Sequence, residues 1–286
     1  MADLVEAFKK AIGHSATIED VITANQAHRL SVTLGRSDPP LSEGDPVPPA
    51  WHHIFFPRLR PPSELGPDGM AVEVEGGPDG PLPRRMFAGN RMTFHGPLRV
   101  GDHARRVMTL RDVNVKQGRS GRLVFAAYGL EISGADGLVI EDEWDLVFRE
   151  AAKPGENNKV PPADPAPDDH EWEQVITPDA VMLFRYSACT FNPHRIHYDF
   201  PYVTGVEGYP GLVVHGPLTS TLLFNLAMDN MPGKTMKTFR QRARAPLFGG
   251  NPIRLLGRPG EDGNSCDLWA VAPDGGIAME ASATFG

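Results

Sequence analysis

One order of signals occurs twice along this chain, and that echo constrains its fold more than any other feature. Ile22-Thr23 opens an apolar-periodic helical stretch containing Arg29, and Ile176-Thr177 opens another containing Arg185. Further along, Pro97-Leu98-Arg99-Val100-Gly101-Asp102 is answered by Pro246-Leu247-Phe248-Gly249-Gly250-Asn251. The threonines lie 154 residues apart and the prolines 149, so the two markers agree within a few residues. Agreement sustained over half a chain predicts duplication of one structural unit.

Each half continues with strand signals. In the first, 107–115, 123–133 and 139–149 are rich in Val, Ile, Leu, Phe and Tyr and are divided by Gly-containing turns. In the second, 253–257, 266–272 and 278–285 repeat the pattern. The central helices are expected at 49–56, after a Pro-rich start, and at 217–228, where Pro217 suits a first helical turn. One helix wrapped by a curved antiparallel sheet, twice over, is an α+β double hotdog. The stretch 151–170 is rich in Pro, Asp and Asn and reads as a linker. The expected units are therefore 1–150 and 171–286.

Composition narrows the function. Against 36 acidic residues stand 28 Lys and Arg, and the net charge of -8 argues against a nucleic-acid surface, which draws its affinity from clustered basic residues. Two cysteines, Cys189 and Cys266, make neither a disulfide framework nor a zinc or redox pair. No apolar run reaches the roughly 20 residues of a membrane span. Residues 1–13 read as an amphipathic helix with acids among the apolar positions, unlike a secretory or mitochondrial leader. A cytoplasmic protein is expected.

The segment 187–223 carries the chemistry. Asn192-Pro193 reads as a turn, so His194, Arg195, His197 and Asp199 project from a loop, a common home for catalytic groups. Histidine is the side chain whose ordinary pKa suits a general base near neutrality, and His194 and His197 both qualify. Beyond Gly211 an apolar run leads through His215-Gly216 into the helix started by Pro217. The free N–H groups and positive end of that helix offer an anion site, suited to a thioester enolate.

Phe191-Asn192-Pro193, His197-Tyr198-Asp199 and Val213-Val214-His215-Gly216-Pro217-Leu218 resemble the hydratase motif of the MaoC-like, (R)-specific enoyl-CoA hydratase family. The longer His194-Arg195-Ile196-His197-Tyr198-Asp199 and Glu207-Gly208-Tyr209-Pro210-Gly211 are similar to mitochondrial 3-hydroxyacyl-thioester dehydratases and bacterial mesaconyl-CoA or itaconyl-CoA hydratases. Trp51-His52-His53, Leu82-Pro83-Arg84-Arg85-Met86 and Gly118-Arg119-Ser120-Gly121 extend the likeness to the latter into the first half. The resemblance implies a hydro-lyase acting on an acyl-CoA thioester. It gives His197 the role of catalytic base, Asn192 that of the loop Asn, Gly216 the N–H donor to the thioester carbonyl, and Thr221 a hydroxyl on the central helix. Thr190 stands where the family carries its catalytic Asp, and His194 and Arg195 are inserted before His197. Asp199 or His194 is then the candidate partner of His197. A homodimer associating through sheets is expected by analogy. Neither metal nor redox cofactor is needed, because hydration changes no overall oxidation state.

From Thr23 to Pro49 is 26 residues, but from Thr177 to Pro217 is 40, so the first half lacks the catalytic loop and reads as a non-catalytic copy covering the substrate. Other assignments stay open. His194, His197, Asp199 and His215 also offer a nitrogen and oxygen set for a metal. A thioesterase or a non-catalytic acyl-CoA binding module would use the same fold. Arg240, Arg242 and Arg244 alternate along a strand expected over 237–246, which places them on one face to meet CoA phosphates or a substrate carboxylate. That last possibility points to a small dicarboxylic acyl group such as itaconyl or mesaconyl, with fatty acyl chains as the rival.

Overall fold

The computed structural model describes residues 2–78, 84–118, 121–149 and 163–286. Most of the expected linker, with Leu82, Pro83, Arg119 and Ser120 of the resembling motifs, lies outside these residues. In the first half helix α1 (Ala2–Lys10) precedes strand β1 (Ser15–Val21) and helix α2 (Ala24–Thr33), and the strands β2 (Arg84–Phe94), β3 (His103–Gly118), β4 (Gly121–Gly134) and β5 (Gly137–Arg149) follow. In the second half β6 (Trp172–Ile176), α3 (Ala180–Thr190), α4 (Phe200–Gly205) and α5 (Gly216–Asn230) lead into β7 (Met236–Ala243), β8 (Ile253–Pro259), β9 (Ser265–Val271) and β10 (Ile277–Phe285).

These strands make one antiparallel sheet in the order β1-β3-β4-β5-β2-β7-β10-β9-β8-β6. Reading outward from the centre, β2-β5-β4-β3-β1 is matched by β7-β10-β9-β8-β6. The duplication is thus a pseudo-twofold about the β2–β7 seam. Met92 pairs with Phe239 and Asn90 with Gln241 along it. Gly89 is required there, since a Cβ would lie 2.4 Å from the Gln241 carbonyl oxygen.

Helix α5 is apolar on every side, and ten consecutive residues from Leu218 to Ala227 are buried. It lies against β7 to β10, where Phe224 meets Phe239 with ring centres 5.7 Å apart. A smaller core gathers Phe8 of α1 with Met108, Leu110, Tyr128 and Phe148 on the first half of the sheet. Helix α2 begins where the sequence indicates, with the Thr23 hydroxyl accepting from the Gln26 amide. Helix α3 begins two residues later than expected, because Asp179, beyond Pro178, supplies the cap at 2.8 Å from the Met182 amide.

The first half departs from expectation at its central helix. The stretch 49–56 forms only a 3-10 turn, Trp51–Ile54, flanked by left-handed Ala50 and Phe56. Pro57, Pro61 and Pro62 follow at once, and proline disfavours helical geometry in the residue before it. The chain then runs as an irregular segment through residue 78 over the sheet. Strands β1, β2 and β6 carry no clear period-two apolar signal and were not foreseen; β1 alternates only between half-buried and exposed positions.

Candidate active site

The loop between α3 and α5 is held by a series of local contacts. Phe191 ends α3 in the left-handed region, and the Asn192 side-chain oxygen accepts from the His194 amide at 3.0 Å. A 3-10 turn, Arg195–His197, follows. Asp199 then caps α4, accepting from the Tyr202 amide at 3.0 Å, and takes two hydrogen bonds from the Arg195 guanidinium at 2.9 and 2.7 Å. Arg195 also lies 4.0 Å from the Tyr202 ring centre.

The first half grips this loop from above. The Arg195 amide donates to the Asp68 carbonyl and its guanidinium to the Pro67 carbonyl, both at 2.9 Å. Gly69 sits so close that a Cβ would fall 2.1 Å from the Pro193 carbonyl oxygen, and its φ of +87° is one that side chains rarely adopt.

These contacts place three histidines together. His197 is buried, and its Nδ1 lies 2.7 Å from the Val213 carbonyl oxygen, which can only accept. Nδ1 therefore carries the proton and Nε2 keeps a lone pair. The His215 ring stacks beneath it at 3.6 Å, tilted by 20°, and His215 Nε2 meets the Ser187 hydroxyl at 2.8 Å. His194 stands edge-on to His197 with ring centres 5.4 Å apart. Burial, reinforced by His194, lowers the His197 pKa to about 3; burial and nearby Arg85 lower that of His194 to about 4. Burial also pulls His215 well below the ordinary histidine range. All three are neutral at pH 7.

Helix α5 begins beside His197 with Gly216 and Pro217, and its N-cap His215 gives no side-chain cap. Pro217 has no N–H and the Thr219 amide donates to the His215 carbonyl at 3.1 Å, so the Gly216 and Leu218 amides are the first-turn donors without a helical partner. Phe87 of the first half lies 3.3 Å from the position of a Gly216 Cβ, so only a small residue leaves that edge open.

A cavity of about 690 Å³ opens here, lined by both halves. Thr190, Asn192, His194, His197, Gly216 and Thr221 all face it. The Thr190 hydroxyl donates to the Tyr186 carbonyl at 2.8 Å, and that of Thr221 donates to the Pro217 carbonyl at 2.8 Å. Neither Asp199 nor His215 is on the wall: Asp199 is engaged by Arg195 and α4, and His215 is fully buried behind His197. The His-x-x-His-x-Asp pattern therefore does not converge, and among the described residues no group of three or more His, Cys, Asp or Glu side chains has metal-binding geometry.

The arginine expectation needs correction as well. In β7 the side chains of Phe239 and Gln241 turn inward, so Arg240 and Arg242 project from the opposite face of the sheet, into a separate depression shared with Asp145 and Glu280. Arg244 lies past the end of the strand. Its amide and that of Ala245 both donate to the Ala278 carbonyl, at 2.8 and 3.1 Å, which breaks the alternation and brings Arg244 to the cavity. Its guanidinium is paired with Glu280, which lies in the depression of Arg240 and Arg242 rather than on the cavity wall.

Several cavity residues were missed, nearly all of them from the first half. Asp142 is buried, accepting from Asn90 at 2.7 Å and from the Trp144 indole, with His52 at 3.4 Å; Gln241 donates to Asn90 across the seam at 2.9 Å. Glu75 takes both oxygens to one nitrogen of Arg106 at 2.6 Å and has Arg58 at 3.6 Å. Arg85 completes the group. His52 and Arg85 stand within segments singled out for family resemblance, but no local pattern marks them as inward-facing.

The family model of hydroxyacyl-thioester dehydratase type 2 matches residues 50–249. The chain belongs to this family. It is 43% identical over 278 residues to the mesaconyl-C(4)-CoA hydratase of Chloroflexus aurantiacus, with 96% of each chain covered. It is 29% identical over 237 residues to the mitochondrial hydroxyacyl-thioester dehydratase type 2 of Schizosaccharomyces pombe, covering 72% of this chain and 76% of that one. A MaoC-like dehydratase from Phytophthora capsici shares the hotdog fold at a TM-score of 0.71 and 15% identity, over 99% of this chain and 98% of that one. The type 2 dehydratase match spans both the strap over the loop, at residues 57–78, and the three histidines.

Proposed function

We propose that the protein is a hydro-lyase that adds water reversibly to the double bond of an enoyl-CoA thioester. The observation that carries this reading is His197, whose free Nε2 faces the cavity beside the uncapped start of α5. In hydration, the water oxygen bonds to the β-carbon while His197 Nε2 takes the water proton. The C=C electron pair moves toward the thioester oxygen, which the Gly216 amide and the helix end stabilise; a donor so placed is worth about 3 kcal/mol of barrier. The imidazolium then returns the proton to the α-carbon, so the elements of water are added and nothing is oxidised or reduced. His194 orients the water, Asn192 shapes the loop, and the Thr190 and Thr221 hydroxyls face the acyl group. Asp199 holds the loop through Arg195.

The acyl group is a small dicarboxylic one of the mesaconyl or itaconyl kind, giving a malyl- or citramalyl-type thioester. The near full-length relative named for mesaconyl-C(4)-CoA supports this choice. The first half, residues 1–150, is a non-catalytic copy that covers the substrate, and 171–286 carries the chemistry. The protein acts in the cytoplasm as a homodimer. No described helix is long and apolar enough to cross a membrane.

A panel of enoyl-CoA esters, followed by loss of enoyl-thioester absorbance, tests the reading. A five-carbon dicarboxylic enoyl-CoA is expected to exceed crotonyl-CoA in kcat/KM by at least about a hundredfold. Equal or better turnover of crotonyl or longer fatty thioesters would replace the dicarboxylate with a fatty acyl group.

A further inference from the structure

The cavity holds several arginines, and their partners differ. Arg106 is neutralised by Glu75, which also faces Arg58; Arg60 pairs with Glu73, and Arg244 with Glu280. Among the described residues Arg85 has no ion-pair partner. Among the described residues it makes one hydrogen bond, from Nη2 to the Ala71 carbonyl at 3.0 Å. Its Nε is buried with no acceptor at all. Its guanidinium carbon lies 5.9 Å from the Phe148 ring centre. Asp68 is near enough to be felt electrostatically, but its carboxylate lies 4.0 Å from His194 Nε2 and, among the described residues, makes no ion pair with Arg85. Burial, with Arg58 adding repulsion, brings the Arg85 pKa down to about 10, the mark of a cation lacking compensation.

An uncompensated buried cation is costly, and a guanidinium fork matches a carboxylate in plane and spacing. Arg85 is also close enough to His194 for its charge to depress that imidazole, so the unfilled donors lie within the field of the reacting loop. Arg240 and Arg242, by contrast, lie across the sheet. We infer that Arg85 is the specificity-determining residue of the site, its free guanidinium edge taking the distal carboxylate of a dicarboxylic acyl-CoA. This rests on the dicarboxylate reading above. The shared chemistry is an anion, and the other source on the same ligand is a phosphate of CoA.

Binding of two saturated thioesters that cannot be hydrated separates these sources. Succinyl-CoA carries the distal carboxylate; butyryl-CoA has nearly the same length without it. By titration calorimetry the wild-type protein is expected to bind succinyl-CoA at least about tenfold more tightly, a ratio typical of one charged hydrogen-bonded pair. Arg85→Met should abolish the ratio while leaving butyryl-CoA affinity within about threefold, and Arg85→Lys should restore part of it. Melting curves confirm that the variants are folded; if Arg85→Met is not, Arg85→Lys and Arg85→Gln give the same comparison. A ratio that survives in the variants, or is absent from the wild type, overturns the assignment. Equal weakening of both thioesters and of free CoA also overturns it, placing a CoA phosphate on Arg85. Collapse of the ratio in a protein that hydrates no enoyl thioester would keep the subsite and sink the hydratase reading instead.

Discussion

Acidification tests the electrostatics of the site most directly. His53, His194, His197 and His215 are all held neutral by burial, with pKa values of about 3, 4 and 3 for the first three and His215 well below normal. In the unfolded chain each returns to about 6.5. Below that value the unfolded state takes up protons that the folded state refuses, so stability is full above pH 6.5 and falls as pH drops. The loss continues to the folded pKa values, near pH 4 for His194 and pH 3 for His53 and His197.

At pH 5 the unfolded-state protonation is worth about 2 kcal/mol per histidine, whatever the depressed value, provided that value lies well under 5. The three groups at about 3 to 4 give about 6 kcal/mol, and His215 adds in the same direction; this is a large part of the 5–15 kcal/mol that holds a typical domain together. Asp68, whose pKa is raised by burial, works in the opposite direction, but only in the carboxylate range. Urea unfolding followed by tryptophan fluorescence at pH 8, 7, 6 and 5 should therefore show a steep fall below pH 6.5. His215→Asn should make that fall shallower. A total loss of under about 2 kcal/mol between pH 8 and pH 5 would refute the reasoning, because it would mean that most of these imidazoles charge freely in the fold.

His197→Ala should lower kcat by at least about a hundredfold with the melting temperature retained, and steady-state hydration kinetics beside a thermal melt decide it. A crippled His194→Ala with an active His197→Ala would exchange their roles. Gly69→Val should force the strap off Pro193 and lower kcat more than about tenfold, at a stability cost of about 1–3 kcal/mol for the strained backbone. Unchanged kcat would show that the strap does not position the loop.

The duplication was legible because turn residues are local. Pro97 and Pro246, with their glycines, mark equivalent corners whatever surrounds them, and the sheet order obeys the twofold they imply. Helix α5 was legible for a similar reason, since its apolar run follows a proline that suits the first turn. The failed helix at 49–56 had the same opening, but Pro57, Pro61 and Pro62 beyond it set the outcome. His197, Asn192, Gly216 and Thr221, singled out by the family resemblance within one contiguous segment, all line the cavity. Asp199 was misplaced because a loop carboxylate serves equally as cap, ion pair or base, and only the Arg195 contact decides among them. Arg85, Asp142 and His52 were out of reach, since nothing in their local sequence says that a charged side chain faces inward; the partners of Asp142 lie 52 and 90 residues away, at Asn90 and His52.

The asymmetry between the halves explains why a cavity exists at all. In the second half, α5 packs ten buried residues against β7 to β10, and the cavity reaches only the first turns of the helix and the parts of β7 and β10 beside them. In the first, a four-residue 3-10 turn stands where that helix would lie, so Leu123, Phe125, Trp144 and Leu146 of the sheet face open space. An apolar wall without a covering helix costs buried area that nothing in the chain recovers, and an occupant of matching shape offsets that cost when it binds. The chain released from helix becomes the segment 57–78, which sets Arg58, Asp68 and Gly69 against the loop and the cavity. The short turn thus goes with two features: an open volume over the first half of the sheet, and a strap that bears on the loop carrying His194 and His197. A second half expressed alone would keep the histidines but lose the far wall, the strap and Arg85, so on the proposed division of roles it should hydrate no enoyl thioester.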